Sequence, residues 1–180
     1  MEFLRTERLL LRPFRACDAG DVARHIGEWD VARMLSRVPY PYPLAEAKRW
    51  IASHPQAPVR DVDFPFAIEA DGALAGCAGY HPGGEGMVEI GYWLARPAWG
   101  KGFATEAGRA LVGFLFDRFG LEALAANHFE DNPASGRVLT KLGFRYTGVN
   151  MSPCRARGYE VPCLTMRLQR KDAGALFRPV

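Results

Sequence analysis

The sequence offers few ways to staple itself. Its four cysteines, Cys17, Cys77, Cys154 and Cys163, are scattered without a C-x-x-C pair. That argues against both a zinc site and a disulfide framework, and the expectation is free thiols in a reducing compartment. Charge of one sign is also lacking: 23 basic and 20 acidic side chains leave a formal net charge of +3, so nothing calls for nucleic acid or an anionic membrane as partner. Lysine is scarce, four against nineteen arginines. No apolar run has the length of a signal peptide or a membrane span, and a cytoplasmic location is the expectation. Internal repeats and low-complexity tracts are absent as well.

What is present suffices for one core. A chain of 180 residues that is 48% hydrophobic falls within the usual range of a single domain, expected over residues 1–170 with a flexible tail over 171–180. The branched run Thr6–Phe14 reads as a first strand, and Asp18 as the cap of a helix carrying Val22 and Ile26 on one face. Residues 29–43 hold three prolines and cannot continue a helix, so they form a stiffened loop displaying Trp29, Tyr40 and Tyr42. Leu44–Ile51 resumes helical spacing. Three strands follow as an antiparallel meander, the first pair joined by a tight turn at Asp71 and Gly72 and the third running from Met87 to Ala95. Phe103, Ala107, Leu111, Phe114 and Leu115 then recur at the helical period, with Gly120 as the stop. A weaker strand surrounds Leu124, a helix opens at Asp131 or Asn132, followed by Pro133, and ends at Gly143, and two strands joined by a cationic loop with Arg155 and Arg157 close the sheet.

The stretch PAWGKGFATEA, Pro97–Ala107, stands between a strand and the long helix. A glycine turn feeding a helix N-terminus supplies free amides and the positive end of a dipole, an arrangement that binds phosphate oxygens. A Walker A loop is excluded, because Ala95 stands where its first glycine belongs and Gly102 follows Lys101. A dinucleotide fingerprint fails at Thr105, and it belongs early in a parallel array rather than after a meander.

With those two excluded, the pyrophosphate of coenzyme A remains. VEIGYWLARPAWGKGFATEA together with NPASGRVLTKLGF and the N-terminal TERLLLRPF resemble the GNAT acyltransferases, specifically the RimJ/RimL branch that acetylates amines. The resemblance spans Thr6 to about Arg167. It implies an α+β fold with a mixed, mostly antiparallel sheet of about seven strands and about four flanking helices, splayed to hold acetyl-CoA. Of the family signature [QR]-x-x-G-x-[GA], Gly102 and Ala104 fit, while Trp99 replaces the first residue as in the RimJ/RimL branch. By the same resemblance Leu94 and Ala95 pair with the pantetheine arm, and Trp99, Gly100, Lys101, Gly102, Phe103, Ala104 and Thr105 surround the phosphates. Asn132 and Ser135 bind further along the cofactor. Lys101 and Arg96 read equally as phosphate contacts or solvated surface charges, and Gly91 as a bulge, a close approach or a merely tolerated glycine. No metal is implied, and a homodimer is compatible.

Acetyl transfer to an amine needs a neutral amine, a stabilised oxyanion and help for the leaving thiolate. A peptide α-amine, with a pKa near about 8 against about 10.4 for lysine, needs only a modest base. Glu89 is the candidate base, sharing a strand face with Gly91 and Trp93; a structural ion pair with an arginine is the alternative. His81 is second choice. Many family members place a tyrosine two residues before the KLGF lysine, but Leu139 stands there. Ser135 resembles the serine of the branch's N-x-x-S pattern that hydrogen-bonds the cofactor sulfur; equally it reads as a helix-capping hydroxyl. Trp29, Tyr40 and Tyr42 are candidates for the acceptor pocket or ordinary packing. The acceptor is a protein N-terminus or a small amine, and a catalytically silent acyl-CoA-binding module is the alternative from another class.

Overall fold

The computed structural model of the chain describes residues 2–174. The N-terminal run does not form the single strand expected over Thr6–Phe14. Thr6 turns the chain, its amide bonding Leu9 O at 3.0 Å while its hydroxyl accepts from the Leu9 amide at 2.9 Å. The result is a hairpin of β1 (Leu4–Arg5) and β2 (Leu10–Pro13). Three helices follow, α1 (Ala19–Ile26), the single turn α2 (Trp29–Ala32) and α3 (Leu44–Ala52). The meander is present as β3 (Phe64–Ala70), β4 (Ala73–Pro82) and β5 (Val88–Leu94). Its first turn has Asp71 at φ 50° and Gly72 at φ 75°, the left-handed pair that suits a right-twisting hairpin.

Beyond it come α4 (Phe103–Phe119), β6 (Ala123–Phe129) and α5 (Pro133–Lys141). Next are β7 (Arg145–Cys154), β8 (Tyr159–Gln169) and the turn α6 (Arg170–Ala173). The described residues thus hold eight strands rather than about seven, and six helices rather than about four, two of them single turns. The tail expected from Lys171 begins differently, since Ala173 is buried against the core; its remainder, residues 175–180, lies outside the described residues.

All eight strands join one sheet in the order β1-β2-β3-β4-β5-β6-β8-β7. Every pairing is antiparallel except β5 with β6, which run parallel and touch only through Val88–Leu124, Glu89–Ala125 and Ile90–Ala126. Beyond Ile90 the two strands part. Period-two alternation sets the two faces: Phe64, Phe66, Val88 and Ile90 pack with Leu111 and Leu115 of α4, while Ala67, Cys77 and Trp93 pack with Val22, Ile26 and Ile51 of α1 and α3.

Asp18 does not act as the side-chain cap of α1. It lies buried in a bidentate pair with Arg12, at 2.8 and 2.9 Å, and accepts the Arg15 amide at 2.7 Å. Glu69 completes the cluster on Arg12 Nε at 2.7 Å. Burial opposes ionisation of Asp18, but Arg12 and the Arg15 amide outweigh it and hold the carboxyl below its usual range. An arginine in β2 therefore satisfies two acids, Glu69 on β3 and Asp18 ahead of α1, and the charges are compensated where water is excluded.

Candidate active site

Where β5 and β6 part, a cleft of about 800 Å³ opens, within the roughly 300–1,000 Å³ of small-molecule sites. One rim is the glycine turn. Gly100 has φ 75° and Gly102 φ 81°, a conformation that L side chains resist. Nothing lies within 4 Å of where a Cβ on Gly100 would stand. Gly102 O accepts from the amides of Thr105 and Glu106, both at 3.1 Å. The amides of Phe103 and Ala104, in the first turn, have no intrahelical acceptor. An open left-handed turn and unspent amides on a seventeen-residue helix fit a pyrophosphate.

Arg8, which the sequence does not single out, braces this turn. Its guanidinium donates to Lys101 O at 3.0 Å and to Glu106 at 2.8 Å, and lies 5.0 Å from the Phe103 ring centre. Burial works against the Glu106 charge, yet Thr6 and Arg8 hold its carboxyl below the usual range. The N-terminal hairpin is thereby fastened to the glycine turn and to the start of α4, by contacts that span 93 and 98 residues.

Leu94, Trp99, Gly100, Gly102, Phe103, Ala104, Thr105, Asn132 and Ser135 all line the cleft, together with Glu89 and His81. Ala95 and Lys101 do not. Ala95 is buried with its amide on Ala75 O at 2.9 Å. The Leu94 carbonyl is already engaged by the Trp99 indole at 2.8 Å, so Trp99 closes the strand-to-turn junction. Arg96 turns from the glycine loop toward α2, meeting Asp30 at 3.1 Å and Glu28 at 3.8 Å. Basic side chains come instead from α5, where Arg137 and Lys141 line the cleft one turn apart. Gly91 makes no bulge, since the β4–β5 register runs through it unbroken.

At the floor of the cleft Glu89 is partnered, but not by an arginine. Asn127 Nδ2 donates to its Oε1 at 2.6 Å, and His81 Nε2 stands 3.6 Å from the same oxygen. The first and second choices for a base are thus neighbours. On the other side of the cleft the Asn132 side chain caps α5 by accepting the Ser135 amide at 3.2 Å. The Ser135 hydroxyl stays available for Tyr92, whose Oη lies 2.8 Å from Ser135 Oγ and 3.2 Å from Ser135 O. Burial pushes the Tyr92 phenol up to about 12, against the lowering effect of the Ser135 hydrogen bond. Leu139 is a core side chain, 1% exposed.

The three candidate acceptor-pocket aromatics do not line the cleft. Tyr42 is buried against α1 and α3 among Ala19, Val22 and Ala47, and burial pushes its phenol up to about 12. Trp29 and Tyr40 are half-exposed and meet edge to face, 5.1 Å between ring centres. The wall is made by their neighbours Val31, Met34 and Leu35, with Phe129 opposite. Residues 33–37 are fastened to the β7–β8 loop: Arg155 N donates to Ser36 O at 3.1 Å and Arg157 Nε to Arg33 O at 2.8 Å. Arg157 also binds Asp131 at 2.8 Å and holds that carboxyl below its usual range. The cationic loop thus serves the far wall of the cleft. No cluster of three or more His, Cys, Asp or Glu side chains that could hold a metal occurs among the described residues. None of the described helices is long and apolar enough to cross a membrane.

A sheet opened at its one parallel seam, with a left-handed glycine turn after one strand and a carboxylate lining the cleft, suits an acyl-CoA-dependent transferase. The chain belongs to the GNAT acetyltransferases: the family described as "Acetyltransferase (GNAT) domain" matches residues 8–145. Its acyl donor is acetyl-CoA. Among relatives, an uncharacterized N-acetyltransferase, p20, of Bacillus licheniformis is 28% identical over 176 residues, 96% of this chain and 98% of p20. Among solved structures, a GNAT-family acetyltransferase from Bacillus anthracis superposes with a TM-score of 0.81 at 22% identity, covering 94% of this chain and 99% of that one. Mycobacterium smegmatis RimJ, solved with CoA-disulfide, gives 0.79 at 22% identity over 94% of this chain and 87% of its own.

Proposed function

We propose that the acceptor is the free α-amine of a peptide or protein N-terminus, as in the RimJ/RimL branch. One observation carries this reading. The two acids at the mouth of the cleft are already matched by arginines, Asp30 by Arg96 and Arg33 at 3.1 and 3.7 Å, Asp131 by Arg157 and Arg33 at 2.8 and 3.7 Å. A polyamine or aminoglycoside needs unmatched acids to replace its hydration, whereas a peptide end brings one amine and a largely neutral chain to the apolar wall of Val31, Met34 and Leu35.

In the chemistry that follows, acetyl-CoA supplies a thioester carbonyl for the amine to attack. Glu89, oriented by Asn127 and flanked by His81, takes the proton of an amine whose pKa near about 8 demands little of it. The turn Gly100–Ala104 holds the pyrophosphate and Asn132 the pantetheine arm. The Ser135 hydroxyl donates a hydrogen bond to the sulfur. Release of CoA thiol from acetyl-CoA is the test, with peptides bearing free N-termini, the same peptides blocked by formylation, polyamines, amino acids and aminoglycosides. Turnover with free peptides alone is expected. Turnover with small amines alone overturns the peptide reading, and silence with every amine, alongside tight CoA binding, makes the protein a binding module.

A further inference from the structure

Tyr92 has no role in the chemistry so far, yet it is placed where one is needed. It sits on β5 two residues past Ile90, the last residue paired with β6, and its ring packs against the main core. Its hydroxyl reaches 43 residues along the chain to the first turn of α5 and has two acceptors there, Ser135 O at 3.2 Å and Ser135 Oγ at 2.8 Å. One phenolic hydrogen serves only one of them at a time. When it bonds the carbonyl, the Ser135 hydroxyl hydrogen is free to turn back onto Tyr92 Oη. When it bonds Oγ, that hydrogen points elsewhere, and the cleft that both residues line is a direction open to it.

We propose that Tyr92 is a positioning residue for the leaving thiolate, exchanging its hydrogen bond from Ser135 O to Ser135 Oγ and so aiming the serine hydroxyl at the cofactor sulfur. The inference rests on the assignment of Ser135 to the sulfur made above. Acetyl transfer forms the N–C bond and breaks the C–S bond, whose electron pair stays on sulfur. The Ser135 O–H donates to that charge, and Tyr92 O–H donates to Ser135 Oγ. Neither gives up its proton: a phenol pushed up to about 12 remains neutral beside a thiolate, and sulfur takes its proton from water as the product leaves. The proton lost by the amine leaves through Glu89. The N-terminal end of α5, its Asn132 cap already in place, adds the positive end of a dipole to the same spot. The position where a family tyrosine is missing, Leu139, is filled by a core side chain, and Tyr92 brings a phenol from β5 to the same helix one turn earlier.

The probe is CoA itself, bound to the intact protein without any amine, its thiol titrated through the ultraviolet absorbance of the thiolate. The bound thiol is expected to titrate below that of free CoA. Tyr92→Phe and Ser135→Ala each raise that midpoint by about one pH unit, the scale of a charge-assisted hydrogen bond. The double variant goes no further, because the two hydroxyls act in series. 3-Fluorotyrosine at position 92, a somewhat stronger donor of nearly the same shape whose buried phenol stays protonated, lowers the midpoint and answers the question even if Tyr92→Phe folds poorly. In turnover, Tyr92→Phe lowers kcat about ten-fold with KM for acetyl-CoA unchanged. A Tyr92→Phe midpoint equal to wild type, or a double variant equal to the sum of the singles, overturns the proposal. The titration needs no acceptor, so failure of the amine panel leaves it intact. Conversely, active enzyme with an unmoved thiol midpoint in Tyr92→Phe removes Tyr92 alone.

Discussion

Replacing Asp18 by alanine tests how the fold carries its buried charge. The variant removes both carboxylate contacts to Arg12, at 2.8 and 2.9 Å, and the acceptor of the Arg15 amide at 2.7 Å. Arg12 is 4% exposed and Asp18 7%, so water cannot replace what is lost. Breaking a buried pair from one side costs about 3–5 kcal/mol. Glu69 remains on Arg12 Nε at 2.7 Å and keeps the loss near the lower end, about 3 kcal/mol. At about 2–4 °C per kcal/mol for a chain of this size, Tm falls by about 6–12 °C at neutral pH. The pH dependence has a definite sign. The folded pKa of Asp18 lies below its unfolded value, so its contribution is complete above about pH 4 and fades as pH falls through the folded pKa. Thermal denaturation of both proteins from pH 7 to 2.5 should show two Tm curves that converge in acid. A loss under about 1 kcal/mol, or a gap that persists undiminished at the lowest pH, refutes the burial argument.

Three further outcomes follow from the site. Glu89→Gln lowers kcat by about 100-fold or more while leaving KM for acetyl-CoA unchanged; steady-state kinetics giving a wild-type kcat would remove Glu89 as base. Gly102→Val and Gly120→Ala both place a side chain on a left-handed backbone, at φ 81° and 62°, and each costs about 1–2 kcal/mol of stability. Calorimetry should find weakened CoA binding only in Gly102→Val, and equal affinities would show that the turn does not hold the phosphates. Gly136→Ala drives a Cβ to 2.7 Å from Tyr146 Oη and 2.8 Å from His128 Nε2. Because His128 is buried and cannot swing aside, overpacking of about 1–3 kcal/mol is expected in denaturant titrations, and an unchanged midpoint would mean that α5 shifts freely.

The parts of the site carried by local pattern were legible in the sequence. Alternation put Glu89 and Trp93 on one face of β5, the glycines marked the turn, and Asn132 with Pro133 marked the start of α5. The parts made by distant contacts were not. Asn127 finds Glu89 across 38 residues and Tyr92 finds Ser135 across 43, and no local period encodes either. Tyr42, which the sequence leaves open between pocket wall and ordinary packing, packs: it dips into the cluster between α1 and α3. Burial was decided by what folds over the loop. Asp18 looked like a cap because caps are local; its real partner came from the strand before it.

The seam between β5 and β6 has a mechanical meaning. Five strands on one side and three on the other meet through three residue pairs, so past Ile90 the sheet is a gap with backbone on both banks. Whatever lies in that gap stands in for the missing rungs. On the proposed placement of acetyl-CoA in this cleft, the donor is a structural member as well as a reactant: it bridges the two halves of the sheet, and thermal denaturation with and without CoA registers that bridge as a rise in Tm.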